Sequence, residues 1–214
     1  MPTSFDLAQL RRDYGNRPLL ESDVDPDPLV QFRKWLAEAV EHQLIEPNGM
    51  TLSTVDASGQ PWSRTVLLKG CDARGFVFFT NYESDKGRQL ALNPRCALTL
   101  WWAPLERQVN ITGRVEKVPR AETDAYFAQR PVASRIGAWA SEQSSVLANR
   151  QELVDAFEAA KARFGDHPPT PEHWGGYAVE PGTIEFWQGH AGRLHDRLRY
   201  TRENGQWVLR RLSP

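Results

Sequence analysis

The 214-residue chain has two cysteines, Cys71 and Cys96, and they form no CxxC pair. This excludes a disulfide framework and a thiolate zinc site, and it fits a reducing compartment. The five histidines, His42, His167, His173, His190 and His195, do not recur at metal-ligand spacing, so no metal is expected. Glycine loops of the Walker or dinucleotide type are missing, which excludes a P-loop or Rossmann reading at the motif level, and HExxH is absent too. With 26 basic against 27 acidic residues the net charge is -1, so the positive excess of a general nucleic-acid binder is lacking and any anion site must be local. No apolar run approaches the roughly 18 residues that span a bilayer. The first twenty residues carry Arg11, Arg12 and Arg17 without an apolar h-region, so a soluble, unexported, cytoplasmic protein is expected, with no membrane partner.

What is present is organised by period. Residues 1–26 are polar and read as a flexible N-terminal arm, followed by a single domain over 27–214. Asp27 caps a helix with Pro28 at its first position, and Leu29, Phe32, Leu36 and Val40 form its apolar stripe to about Leu44. From Met50 the period changes to two: strands are predicted over 50–56, 62–69 and 76–80, joined by turns at Ala57-Ser58-Gly59 and Asp72-Ala73-Arg74-Gly75. Ser84 can cap a short helix ending near Asn93-Pro94, and strand character resumes over 96–102 and 107–118. Pro119 opens a helix closed by Arg130-Pro131, a longer helix spans about 149–164, and 165–174 is a proline-rich connector. Closing strands are predicted at 177–179, 183–187 and 193–200, with an Asn204-Gly205 hairpin into 207–212. Short strands with helices inserted between them predict a mainly β fold, an antiparallel barrel decorated by helices.

Alternation from Arg193 places Arg193, His195, Arg197 and Arg199 on one strand face and Leu194, Leu198 and Tyr200 on the other. Such a cationic row suits an anion, phosphate in particular, although alternating charge is also what a solvated sheet face displays. Upstream, Phe186-Trp187 offers a flat surface for a planar ligand. Between arginines, His195 is favoured in its neutral form. Arg64 and Lys69, five residues apart, point to opposite strand faces. Lys86 at a helix start, Gln108 on a strand, Tyr126 and Arg130 one helical turn apart, and the polar run 141–145 are further candidates.

Together these motifs resemble the pyridoxamine 5'-phosphate oxidase family over residues 11–214. The most specific element is Ile184-Glu185-Phe186-Trp187-Gln188 followed, after four residues, by Arg193-Leu194-His195-Asp196-Arg197. Supporting it are Arg64 to Lys69, Phe79-Thr80-Asn81, Glu106-Arg107-Gln108-Val109, Tyr126-Phe127 with Arg130-Pro131, Ile136-Gly137-Ala138, Gln143-Ser144-Ser145 and Trp174-Gly175-Gly176. The resemblance implies a split-barrel flavin-binding fold and a homodimer with FMN at the interface. It also implies oxidation of pyridoxine or pyridoxamine 5'-phosphate to pyridoxal 5'-phosphate, with O2 reduced to H2O2.

By the same resemblance FMN is contacted by Arg64, Thr65, Val66, Leu67, Leu68 and Lys69, by Phe79, Thr80 and Lys86, and by Gln108, Gln143, Ser144, Trp187 and Arg197. Lys69, Tyr126, Arg130 and Ser134 hold the substrate phosphate, and Leu194 lies with the catalytic Arg193 and His195 at the substrate ring. One departure is Asp85, where the family typically carries arginine before the lysine. A second product site near Arg11, Arg12 and Tyr14 is left open. Two alternatives stand beside the oxidase: a non-catalytic flavin or B6-phosphate binder of the same fold, and a single-stranded nucleic-acid binder using Trp101 and Trp102, which the charge balance disfavours.

Overall fold

Among the described residues, period-two segments become nine strands: β1 (Gly49–Val55), β2 (Pro61–Leu67), β3 (Gly70–Asp72), β4 (Gly75–Asn81), β5 (Arg95–Trp102), β6 (Arg107–Lys117), β7 (Trp174–Gln188), β8 (Asp196–Glu203) and β9 (Gln206–Arg211). Helices fall between them: α1 (Pro28–Glu41), α2 (Asp85–Leu92), α3 (Arg120–Gln129), α4 (Val132–Ala140) and α5 (Arg150–Phe164). The structure is a computed structural model and describes residues 6, 7, 10 and 12–214. Hydrogen-bonded order is β2-β1-β5-β6-β7-β4-β3, with β8 on β7 and β9 on β8. The pairings of β1 with β2 and β5, of β4 with β3 and β7, and of β8 with β7 and β9 are all antiparallel, as alternation and hairpin turns predict.

The chain divides into two compact units, one of residues 1–47, 101–110 and 183–214, the other of residues 48–100 and 111–182. In the first, Asp27 caps α1 by accepting a hydrogen bond from Leu29 N at 2.8 Å. The buried stripe of α1 is Leu29, Phe32, Trp35 and Ala39, not the expected Leu29, Phe32, Leu36 and Val40, and Val40 is exposed. The larger Trp35 ring takes the inner position and meets Phe186 edge-on at 5.1 Å. Segment 19–25 is tied to the same unit: Leu19 is buried, its N–H donates to Asp196 (2.9 Å), and the Tyr200 hydroxyl donates to the Asp25 carbonyl (2.6 Å).

The predicted four-cation row on one strand does not form. Residues 191–193 make a 3-10 turn with Gly192 and Arg193 both at φ 65°, and β8 starts only at Asp196. Left-handed backbone breaks alternation, so Arg193 and His195 leave the strand and Leu194 becomes exposed. Arg197 and Arg199 remain on β8, and their counter-charge is internal. Glu185, opposite Arg199 on β7 and only 5% exposed, accepts from Arg197 Nε (2.8 Å) and Arg199 NH2 (2.7 Å). The expected Phe186-Trp187 surface is also halved, because successive strand residues face opposite ways and Phe186 is fully buried.

In the second unit Ser84 caps α2, its hydroxyl accepting from Gly87 N at 3.3 Å. The core is Met50, Leu52, Phe76, Phe78, Leu98, Ile111 and Val179. Helix α4 was not expected from the sequence: Pro131 ends α3, but with extended backbone it also serves as the N-cap residue of a new helix that buries Ile136. Strands predicted at 177–179 and 183–187 are one strand, β7, which continues through Pro181.

Glu185 generates a stability prediction. Burial tends to raise its pKa, but hydrogen bonds and charge from Arg197 and Arg199 outweigh this and hold it below the usual value. The contribution is therefore complete above the unfolded carboxyl value of about 4.3 and is lost as pH falls through the lower folded value. Glu185→Gln should cost about 1–3 kcal/mol at neutral pH. It should also flatten the decline of the melting temperature below about pH 4.3. Thermal melts of both proteins across the acid range check this, and parallel curves would contradict it.

Candidate functional site

In the second unit, a cavity of about 540 Å³ opens where β2 ends. The cause is a change of pairing partner: Leu68 N donates to Asn48 O (2.9 Å), whereas Lys69 N donates to Val77 O (2.8 Å). The chain passes there from one neighbouring strand to another, which brings Thr65, Val66, Leu67 and Lys69 to one wall. Phe79 and Thr80 from β4, Lys86 from α2, Tyr126 and Arg130 from the end of α3, Ser134 from α4, and Gln143 complete the expected set in this cavity. Asn81, Gln129, Pro131 and Trp174 also line it; of these, the motifs include Asn81, Pro131 and Trp174 without giving them a role.

Three expected residues stand beside the cavity rather than on it. The Arg64 guanidinium donates to the Thr54 hydroxyl and to Gln89 Oε1 (3.0 Å), and burial lowers its pKa. Leu68 is buried. Ser144 adopts φ 77°, and its hydroxyl accepts from Asp85 N at 3.2 Å. The Asp85 carboxylate turns to Arg88, 2.6 Å away, as a first-turn acid on a capped helix can.

Besides the exposed Lys69, two cations in this cavity, Lys86 and Arg130, have no carboxylate hydrogen-bonded to them. Lys86, only 8% exposed, donates to Gln143 Oε1 (3.2 Å) and Ser84 Oγ (3.3 Å), both neutral groups. Its pKa is lowered chiefly by burial and further by Arg64, while Asp85 acts the other way. Arg130 has a buried NH1 with no hydrogen-bond partner, and burial lowers its pKa as well. A buried donor left unpaired costs about 1–3 kcal/mol, and an anion in the cavity would relieve it. Aromatic rings stack alongside: Phe79 lies 4.1 Å from Tyr126 at 20° and 5.5 Å from Trp174 at 12°.

The first unit has its own hollow of about 340 Å³, lined by Tyr14, Trp101, Gln108 and Trp187. The His195 ring lies 4.6 Å from Trp187 and 5.4 Å from Tyr14. Its Nδ1 accepts from His190 N at 3.1 Å, which in the neutral ring puts the proton on Nε2. Burial, then Arg193 and His190, lower its pKa, the direction expected from its arginine neighbours. Arg197 donates to Glu185 and to the Ser213 carbonyl (2.9 Å). Of the residues suggested for a second product site, Arg11 lies outside the described residues, Arg12 pairs with Glu106 at 3.3 Å, and Tyr14 belongs to this hollow. From the sequence Trp101 suggests only a base-stacking surface and Glu185 only a motif position, so neither announces its place here.

Among the described residues no helix is long and apolar enough to cross a membrane, and no group of three or more His, Cys, Asp or Glu could hold a metal. The family model described as pyridoxamine 5'-phosphate oxidase matches residues 36–164, and that described as the pyridoxine 5'-phosphate oxidase C-terminal dimerisation region matches residues 174–214. A pyridoxine/pyridoxamine 5'-phosphate oxidase of Thermosynechococcus vestitus is 58% identical over 208 residues, covering 97% of this chain and 99% of its own. One of Burkholderia mallei is 56% identical over 211 residues, with the same coverage.

Among solved structures, PhzG from Burkholderia lata, in complex with tetrahydrophenazine-1-carboxylic acid, superposes with a TM-score of 0.88 at 31% identity, covering 94% of this chain and all of that one. An FMN binding protein from Nostoc punctiforme shares the fold at a TM-score of 0.68 and 18% identity, covering 86% of this chain and 97% of that one. With the antiparallel sheet and its inserted helices, these likenesses identify the split-barrel architecture expected from the sequence. On two family models and on relatives matched over almost their whole length, the chain belongs to the pyridoxamine 5'-phosphate oxidase family.

Proposed function

We propose that this protein oxidises pyridoxine 5'-phosphate and pyridoxamine 5'-phosphate to pyridoxal 5'-phosphate, with FMN as bound cofactor and O2 as acceptor. The observation that carries the reading is a single cavity with two sequestered cations, Lys86 and Arg130, neither hydrogen-bonded to a carboxylate. Two phosphorylated ligands ask for two such groups. The names of the relatives point the same way.

Lys86 with Arg64, the end of β2, Thr80 and Gln143 would hold FMN, with Phe79, Ser144, Gln108, Trp187 and Arg197 completing its contacts. In a homodimer a second copy can complete the set, which accords with a C-terminal region of the dimerisation type. Lys69, Tyr126, Arg130 and Ser134 would take the substrate phosphate. Arg193, Leu194 and His195 would lie at the substrate ring, where neutral His195 donates from Nε2. The chemistry supplied by bound FMN is two-electron acceptance from the substrate's 4' carbon followed by reoxidation by O2, giving H2O2. The chain's part is to bind and orient the substrate and to exclude water, which needs no triad and no paired carboxylates.

The likeness to PhzG offers a second substrate class, a tricyclic carboxylic acid. The higher identity to the oxidases and the separate cations favour the B6 phosphates. An oxygen-coupled assay decides between these readings and a non-catalytic binder: one pyridoxal 5'-phosphate and one H2O2 are expected per pyridoxine 5'-phosphate consumed. Absence of turnover by the flavin-loaded protein would refute the oxidase.

Two predictions follow from the division of roles. Arg193→Ala and His195→Ala should lower kcat/KM for pyridoxine 5'-phosphate by about 100-fold or more while flavin affinity stays nearly constant, whereas Arg197→Ala should loosen FMN. Steady-state kinetics beside flavin titration separates these outcomes, and equal loss of FMN affinity in all three variants would contradict them. At position 85 the carboxylate faces Arg88 yet still acts on Lys86 and Arg64 through space. Asp85→Arg, which takes the side chain from −1 to +1, should therefore tighten FMN several-fold at low salt and less at high salt. Titration at two ionic strengths tests it; unchanged or weaker binding would mean that position 85 does not address the phosphate.

A further inference from the structure

A guanidinium has a polar rim and two apolar faces, so a ring beneath it can fix its plane while leaving the rim free. Arg130 is held in this way. Its Cζ lies 4.6 Å from the centroid of the Trp174 ring and 5.6 Å from that of Phe127, while its NH1 is buried and unpartnered. The residue follows the last residue of α3 with extended backbone (φ −70°, ψ 148°), so it is outside the regular helix that would otherwise restrict its side chain.

Trp174 is itself firmly seated. It is 6% exposed at the start of β7, stacks on Phe79 at 12°, and meets Phe127 edge-on at 5.0 Å. Its plane is within 8° of the Tyr126 ring at 6.2 Å. Two residues further along β7, a Cβ on Gly176 would fall 2.7 Å from both Phe79 and Val118, so this glycine leaves the room that the Phe79 ring of the stack occupies.

We infer that Trp174 is a positioning residue for the phosphate end of the site, its ring setting the plane of Arg130 so that the unpartnered edge meets the ligand's phosphate. The identity of that phosphate as a B6 phosphate rests on the oxidase reading. Without the ring, Arg130 samples further rotamers and must be ordered at each binding event, a cost that falls on phosphate ligands alone.

The test titrates flavin-loaded wild type, Trp174→Met and Trp174→Phe by calorimetry with pyridoxal 5'-phosphate and with pyridoxal, which lacks the phosphate. Trp174→Met fills much of the space without a π face, and is expected to weaken pyridoxal 5'-phosphate about five- to tenfold while leaving pyridoxal unchanged. Trp174→Phe should restore most of that loss. In an Arg130→Ala background, Trp174→Met should change the affinity no further, because the ring acts through the guanidinium.

Equal weakening of both ligands, or the same loss with Arg130 absent, would overturn the inference and leave Trp174 as core packing. If wild type binds neither ligand, the oxidase reading fails separately, and the same proteins are titrated with inorganic phosphate. A loss there that needs Arg130 still supports the positioning role, and its absence overturns it.

Discussion

Positive charge withdrawn from water without a carboxylate to meet it is the constraint around which the second unit is arranged. In the first unit three arginines are met by carboxylates. Arg107, 3% exposed, pairs with Glu38 at 2.7 Å and lies over Trp35, while Arg197 and Arg199 share Glu185. Lys86 and Arg130 are treated differently: neutral oxygens receive the first, and an aromatic face supports the second. Desolvation without ion pairing is unfavourable to the free protein. The same arrangement makes an anionic ligand a source of stability, since its binding supplies the missing partners.

Backbone events create that arrangement. The exchange of partners between Leu68 and Lys69 turns one β-segment into a wall of the cavity. Proline between α3 and α4 then brings Tyr126, Arg130 and Ser134 to the same space from two helices. Ser84 caps α2 and at the same time receives the Lys86 ammonium, so helix initiation and charge placement share one hydroxyl. In the first unit, left-handed Gly192 and Arg193 take Arg193 and His195 out of β8; His195 then sits beside Trp187 and Tyr14, where burial and Arg193 lower its pKa.

The local part of this was legible in the chain itself. Asp27-Pro28 and Ser84 mark helix starts because capping is decided within four residues. Alternation locates the strands and the hairpins for the same reason. The failures are non-local or depend on a dihedral that residue type does not dictate. Nothing in Arg193 signals φ 65°, so a continuous row of cations was expected where a turn stands. Pro131 signals the end of α3 but not the start of α4. Trp174, beside two glycines on a strand, has no pattern that announces Arg130, which is 44 positions earlier in the chain and meets it only in the fold. Most residues assigned to the site through the family resemblance do line one cavity, whereas Gln108, Trp187 and His195 cluster at the hollow of the other unit.

Whether the uncompensated cations exist to receive phosphate can be measured by comparing FMN with riboflavin, which is the same flavin without the phosphate. Protein freed of flavin is titrated with each, and the FMN-loaded form is then mixed anaerobically with pyridoxine 5'-phosphate. FMN should bind far more tightly than riboflavin, Lys86→Met should remove most of the difference, and the oxidised flavin bands should bleach on mixing. Equal affinity for FMN and riboflavin, unaffected by Lys86→Met, would contradict a phosphate role for the buried ammonium. Flavin bands that persist after mixing would contradict the oxidase.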